Sequence, residues 1–123
     1  MLVREQETRR SETATGVMTT LASPTQGGSE LSLWRVEVPA GASGPLHEIS
    51  TEQIWTFLAG GATVQLGEQA LTVTAGDTVV LPAGVTRRLT ADEEAGFTAI
   101  CTAPGTARAS VDGKDFGVPS WIA

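Results

Sequence analysis

Residues 41–61 read GASGPLHEISTEQIWTFLAGG, and this stretch decides the fold. It carries the only histidine of the chain, His47, with Glu48, Glu52 and Gln53 close behind. In QIWTFLA, Gln53, Trp55 and Phe57 fall on one side of an extended chain, and Ile54, Thr56 and Leu58 fall on the other. Both sides are mostly apolar, so this strand is expected to be central and covered on both faces. Gly60 and Gly61 are expected to end it at a tight hairpin, where a positive φ is tolerated.

Working outward, the same kind of text repeats. VMTTLA, LSLWRVEVPAG, ATVQLGEQ, ALTVTAGD, TVVLPAG, TRRLTADEEAG and FTAICTAPG are short runs rich in β-branched or aromatic residues, punctuated by Gly, Pro and Asp. No segment keeps a helical apolar period over ten or more residues. Short strands with Gly-rich turns predict an all-β sandwich or barrel. In LWRVEVP, Trp34, Val36 and Val38 share the inward face, and Leu33, Arg35 and Glu37 face outward. Pro82 and Gly84 bend the VVLP strand before the next one starts.

The chain has 123 residues, enough for one compact domain. Its organisation reads as a polar, mobile arm over 1–16, a barrel over 17–110 and an apolar tail over 111–123 that packs on the barrel or on a partner. VREQETRR within the arm is compatible with a short strand or a helical turn. A formal net charge of -6 and the lack of a basic, aromatic-studded patch argue against nucleic acid. Cys101 is the sole cysteine, so no internal disulfide can form and a reducing compartment fits. The polar start MLVREQETRRSETATGVM has neither a signal-peptide core nor a run that spans a bilayer. The expectation is a cytoplasmic protein without a membrane partner.

Two separated motifs resemble the cupin family over roughly residues 31–103. The first is Gly41, five residues, His47-Glu48-Ile49, three residues, Gln53, six residues, Gly60. The second is Gly76, five residues, Pro82-Ala83-Gly84, two residues, Arg87, three residues, Ala91. The resemblance implies a double-stranded β-helix, or jelly-roll β-barrel, that commonly pairs into homodimers through its sheets. Cupins place four ligands to a divalent metal in these motifs, and by position those are His47, Ile49, Gln53 and Arg87. Ile49 has no donor atom, and Arg87 is a permanent cation. The resemblance thus implies a retained barrel with a dismantled metal site. No cofactor is expected, and any metal would rest on His47 and Gln53.

His47 is the candidate general acid/base, since imidazole titrates near neutral pH. Arg87, inward on an apolar strand, is expected to meet either a carboxylate such as Glu52 or an anionic ligand. Gln53, Trp34, Trp55 and Phe57 are candidate substrate-binding residues, although strand-spaced aromatics also fill cores. Arg88 is expected at the surface, and Cys101 as a small buried hydrophobe. The leading expectation is a barrel pocket that binds a small organic molecule, an anionic one included. Its chemistry, if any, would be proton transfer of the isomerase, lyase or cyclase type. A metal-dependent enzyme with the reduced set His47 and Gln53, helped by Glu48 or Glu52 and water, is the second reading. A non-catalytic sensor or structural homodimer is the third.

Overall fold

A computed structural model describes all residues 1–123. The extended runs become β1 (Arg9–Glu12), β2 (Val17–Ala22), β3 (Leu31–Val38), β4 (Glu48–Ile49), β5 (Gln53–Leu66), β6 (Gln69–Thr74), β7 (Thr78–Leu81), β8 (Arg87–Ala91), β9 (Phe97–Pro104), β10 (Ala109–Val111) and β11 (Lys114–Gly117). The only helical piece is a 3-10 turn at Glu5–Glu7. One large antiparallel sheet runs β1-β2-β3-β9-β5-β6, with β7 and β8 also paired to β5. A small sheet runs β11-β10-β4. No helix is long and apolar enough to cross a membrane. The architecture is an all-β jelly-roll barrel.

The 14-residue strand β5 holds the barrel together, and here the structure corrects the sequence reading. The chain does not turn back at Gly60-Gly61. Residues 53–60 pair with β7 and β9, and residues 61–66 pair with β6 and β8, so one strand serves both walls. The handover needs glycine: Gly60 has φ +70°, and a Cβ there would collide with the backbone of Gly96. The adjoining register shift between Phe57 and Ala59 is the bulge that bends the strand. The true hairpin lies one run later, at Gly67-Glu68, where Leu66 pairs with Gln69.

Alternation in β3 holds as read. Trp34 and Val36 are buried, and Leu33 and Glu37 are exposed. In β5 the inner face is also as read, with Gln53 and Phe57 buried. The outer face is a second correction: Ile54 and Leu58 are 37% and 55% exposed, so within one chain nothing covers them.

The N-terminal segment is built into the sheet rather than loose, and the helical turn and short strand that VREQETRR allowed are both present, at Glu5–Glu7 and from Arg9. Arg9–Glu12 pair in register with Val17–Thr20 of β2. The tail is fastened mainly through its carbonyl groups. Thr20 Oγ1 donates to Trp121 O at 2.7 Å, Ser32 Oγ donates to Ile122 O, and Ser23 Oγ donates to Ala123 O at 2.7 Å. Arg9 Nη2 reaches Ser120 O at 3.0 Å and Ala123 O at 2.7 Å. Buried hydroxyls on β2 and β3 are satisfied this way, as burial requires. Ile122 is fully buried as a result.

Candidate functional site

A cavity of about 490 Å³ opens at one end of the barrel. Its inner wall is Trp34 and Val36 of β3, Ile49 of β4, Gln53 and Trp55 of β5, and Phe97 of β9. Its rim is the β1–β2 turn, Pro45 and Phe116, with Trp121 closing from the tail. Twenty-two residues line it, and none is Asp, Glu, Lys or Arg. Of the six aromatic residues in the chain, five line this space: Trp34, Trp55, Phe97, Phe116 and Trp121. The sixth, Phe57, lies behind them, with its ring centre 5.1 Å from that of Phe97 and 6.4 Å from that of Trp55.

His47 lines the cavity from the loop that leads into β4. Its backbone is fixed by a two-way bridge to β8: His47 N to Arg87 O at 2.9 Å, and Arg87 N to His47 O at 2.8 Å. Its ring Nδ1 lies 3.0 Å from Pro45 O. Burial holds the imidazole below its ordinary pKa; the Pro45 carbonyl opposes this, and the nearby Arg87 guanidinium adds to it. The ring is therefore neutral at neutral pH. Gln53 is buried and also lines the cavity, and its Oε1 accepts from Trp55 Nε1 at 3.3 Å.

The candidates are brought together only in part. His47, Gln53, Trp34 and Trp55 meet at the cavity, whereas Phe57 and Arg87 do not line it. Arg87 is fully buried, yet it pairs with no carboxylate. Its side chain folds back onto its own turn, with Nε donating to Val85 O at 3.0 Å and Nη2 to Pro82 O at 2.6 Å. Nη1 is buried without a partner. Burial lowers the guanidinium pKa and the charge of Glu48 raises it, but the group stays cationic at any ordinary pH. Glu48 and Glu52 are exposed and stand off the cavity, and Arg88 is exposed. Cys101 is fully buried, and burial pushes its thiol pKa well up.

The residues present do not fit a resident divalent metal. Ile49 offers the cavity wall only carbon, Arg87 brings positive charge to the position of a further ligand, and no three His, Cys, Asp or Glu side chains gather anywhere. What remains is a neutral imidazole and a carboxamide set in an aromatic shell. That arrangement can bind a planar molecule, accept one proton and donate hydrogen bonds. The motifs did not reveal Met18, Leu89, Phe97, Phe116, Trp121 or the turn at Thr13–Gly16 as wall residues. Only the apolar character of the tail hinted at two of them.

Among solved structures, the chain is similar to the polyketide cyclase RemF from Streptomyces resistomycificus, at 17% identity and a TM-score of 0.73, covering 85% of this chain and 78% of that one. It is similar to an RmlC-like cupin from Shewanella frigidimarina at 18% identity and a TM-score of 0.69, covering 83% and 88%. Oxalate decarboxylase from Bacillus subtilis aligns at 17% identity and a TM-score of 0.73, covering 95% of this chain and 31% of that one. Likeness at these identities establishes the fold alone. No curated protein sequence matches the chain. The cupin domain family model matches residues 34–102, more than half of the length, and spans both motifs. Barrel, motif spacing and family match agree, and the chain belongs to the cupin family.

Proposed function

We propose that the cavity binds a small, planar, uncharged organic molecule and that His47 exchanges a proton with it. One observation carries this reading: five of the six aromatic side chains surround a single open cavity that no charged residue lines. A core built for stability alone would close such a space, because empty apolar volume is destabilising. The size lies within the range of roughly 300–1,000 Å³ typical of small-molecule sites. A neutral imidazole at the wall suits proton transfer, the reaction type of isomerases, lyases and cyclases. Arg87 does not line the cavity and two of its nitrogens donate to its own turn, so an anionic ligand, considered from sequence, would meet no direct cationic contact at the wall.

Titration with the neutral fluorescent probe N-phenyl-1-naphthylamine tests the reading. Saturable binding with a Kd of micromolar order is expected, weakened about tenfold or more in Trp55→Ala. A linear, non-saturating response in the wild type sinks the proposal.

The outer sheet face supports a second copy of the chain as partner. Leu33, Ile54 and Val80 lie in one cross-strand row joined through Thr102, and they are 38%, 37% and 50% exposed. Sedimentation should show a dimer that Ile54→Lys dissociates. A wild-type monomer at high micromolar concentration would refute it.

A further inference from the structure

The polar groups of the cavity are few enough to be read one at a time. His47 Nδ1 sits against a carbonyl, which can only accept, so Nδ1 carries the ring proton. In the neutral ring, Nε2 is then a bare acceptor, and it has no partner in the protein. Gln53 is oriented the same way, by its neighbour. Its Oε1 accepts from Trp55 Nε1, which has only a proton to give, so the amide NH2 is the free end. The Trp34 indole N–H is unpartnered too, but it is wholly buried and is not open to the cavity. Apart from the Thr13 and Thr15 hydroxyls, which bond to each other in the β1–β2 turn, the wall therefore presents one acceptor and one donor group without a net charge, between aromatic planes.

Resting on the reading of this cavity as a ligand site, we infer that its ligand is a planar hydroxy-carbonyl compound, a phenol or enol with a ketone-type oxygen. The hydroxyl donates to His47 Nε2, and the carbonyl accepts from the Gln53 amide. A bare aromatic hydrocarbon would fill the same volume but would displace water from these groups and leave them unpaired. A carboxylate would give up its hydration in a wall that no charged side chain lines, with no direct contact to a cation. The match lies in the direction of each hydrogen bond, which shape alone does not specify.

A naphthalene series separates this inference from the reading beneath it. 6-Acetyl-2-naphthol, 2-acetylnaphthalene, 2-naphthol, naphthalene and 6-hydroxy-2-naphthoate are titrated at pH 7.5, and binding is followed by tryptophan fluorescence and calorimetry. The hydroxy ketone should bind about tenfold more tightly than either compound that lacks one group, the worth of one well-made buried hydrogen bond. The carboxylate should bind more weakly than the ketone. His47→Ala should abolish the preference for the hydroxyl and keep that for the carbonyl, and Gln53→Met the reverse. If all five compounds bind alike, the cavity is a ligand site and the hydroxy-carbonyl inference is overturned. If none binds, both fall. The comparison within the wild type stands even where a variant does not fold.

Discussion

His47 and Arg87 are the two ends of one backbone bridge, yet their side chains have different destinations. His47 presents its ring to the cavity, and Arg87 turns its guanidinium onto the carbonyls of the turn from which it springs. The motifs put both residues at metal-ligand positions, and the fold puts their backbones side by side. Side-chain reach separates them. The imidazole is short and rigid, so its place follows from the backbone. The guanidinium sits on a long flexible stem and carries donors in a fork, so it can find acceptors two and five residues back. A motif position fixes where a residue is anchored; the chemistry of the side chain decides what it reaches.

The largest expected effect of breaking that contrast is on stability. Arg87→Ala leaves the Pro82 and Val85 carbonyls without their donor and opens a void, and should cost about 3 kcal/mol in urea unfolding. Affinity for the naphthalene probes should change less than about twofold, an amount well below one hydrogen bond. A loss under about 1 kcal/mol would show that the wall does not need the arginine. His47→Ala should give the opposite result: stability within about 1 kcal/mol of wild type, with a tenfold or greater loss of affinity for hydroxyl-bearing probes. If the two variants behave alike, the distinction between cavity residue and wall residue is wrong.

The pH dependence sharpens the same comparison more gently. The folded pKa of His47 lies below the unfolded value of about 6.5. As pH drops below 6.5, the unfolded chain takes up a proton that the folded one resists. The His47 contribution is therefore complete above 6.5, is lost as pH falls, and levels off below the folded pKa. The stability difference between wild type and His47→Gln should be flat above pH 7 and move against the wild type in acid. A difference that stays constant down to pH 5 would contradict the buried, neutral ring. The smallest expected effect concerns metal. Excess Zn²⁺ should move the wild-type melting temperature by less than about 1 °C, because an ion without a site adds no binding energy to the folded state. Stoichiometric zinc after dialysis would restore His47 and Gln53 as a ligand pair.

The legible part of this molecule was what depends on local period. Trp34 and Val36 facing in, and Leu33 and Glu37 facing out, follow from two-residue alternation and needed no tertiary knowledge. The motif spacing gave the barrel for the same reason, since turns and strand lengths are local. Gly60 misled because a glycine in a strand serves a hairpin or a bulge equally well; only the backbone of Gly96, 36 residues on, selects the bulge. Of the candidate site, His47, Gln53, Trp34 and Trp55 were visible as inward positions near a motif. Phe116 and Trp121 were not, because they join the cavity only after the tail has crossed the sheet. The commitment of Arg87 was equally hidden, since nothing in VTRRL says that a long side chain will fold back on its own turn.

The tail fastening has a consequence for how this cavity can diversify. Thr20 and Ser32 hold the carbonyl oxygens of Trp121 and Ile122, and those oxygens are present whatever the side chains are. Placement of the strap is thus uncoupled from residue identity at position 121. A library at Trp121 should remain folded while reshaping the cavity mouth, whereas randomising Thr20 or Ser32 should scatter the mouth altogether. New ligand preferences are open to selection at an aromatic wall residue whose backbone is held by a hydroxyl of β2 as well as by its own packing.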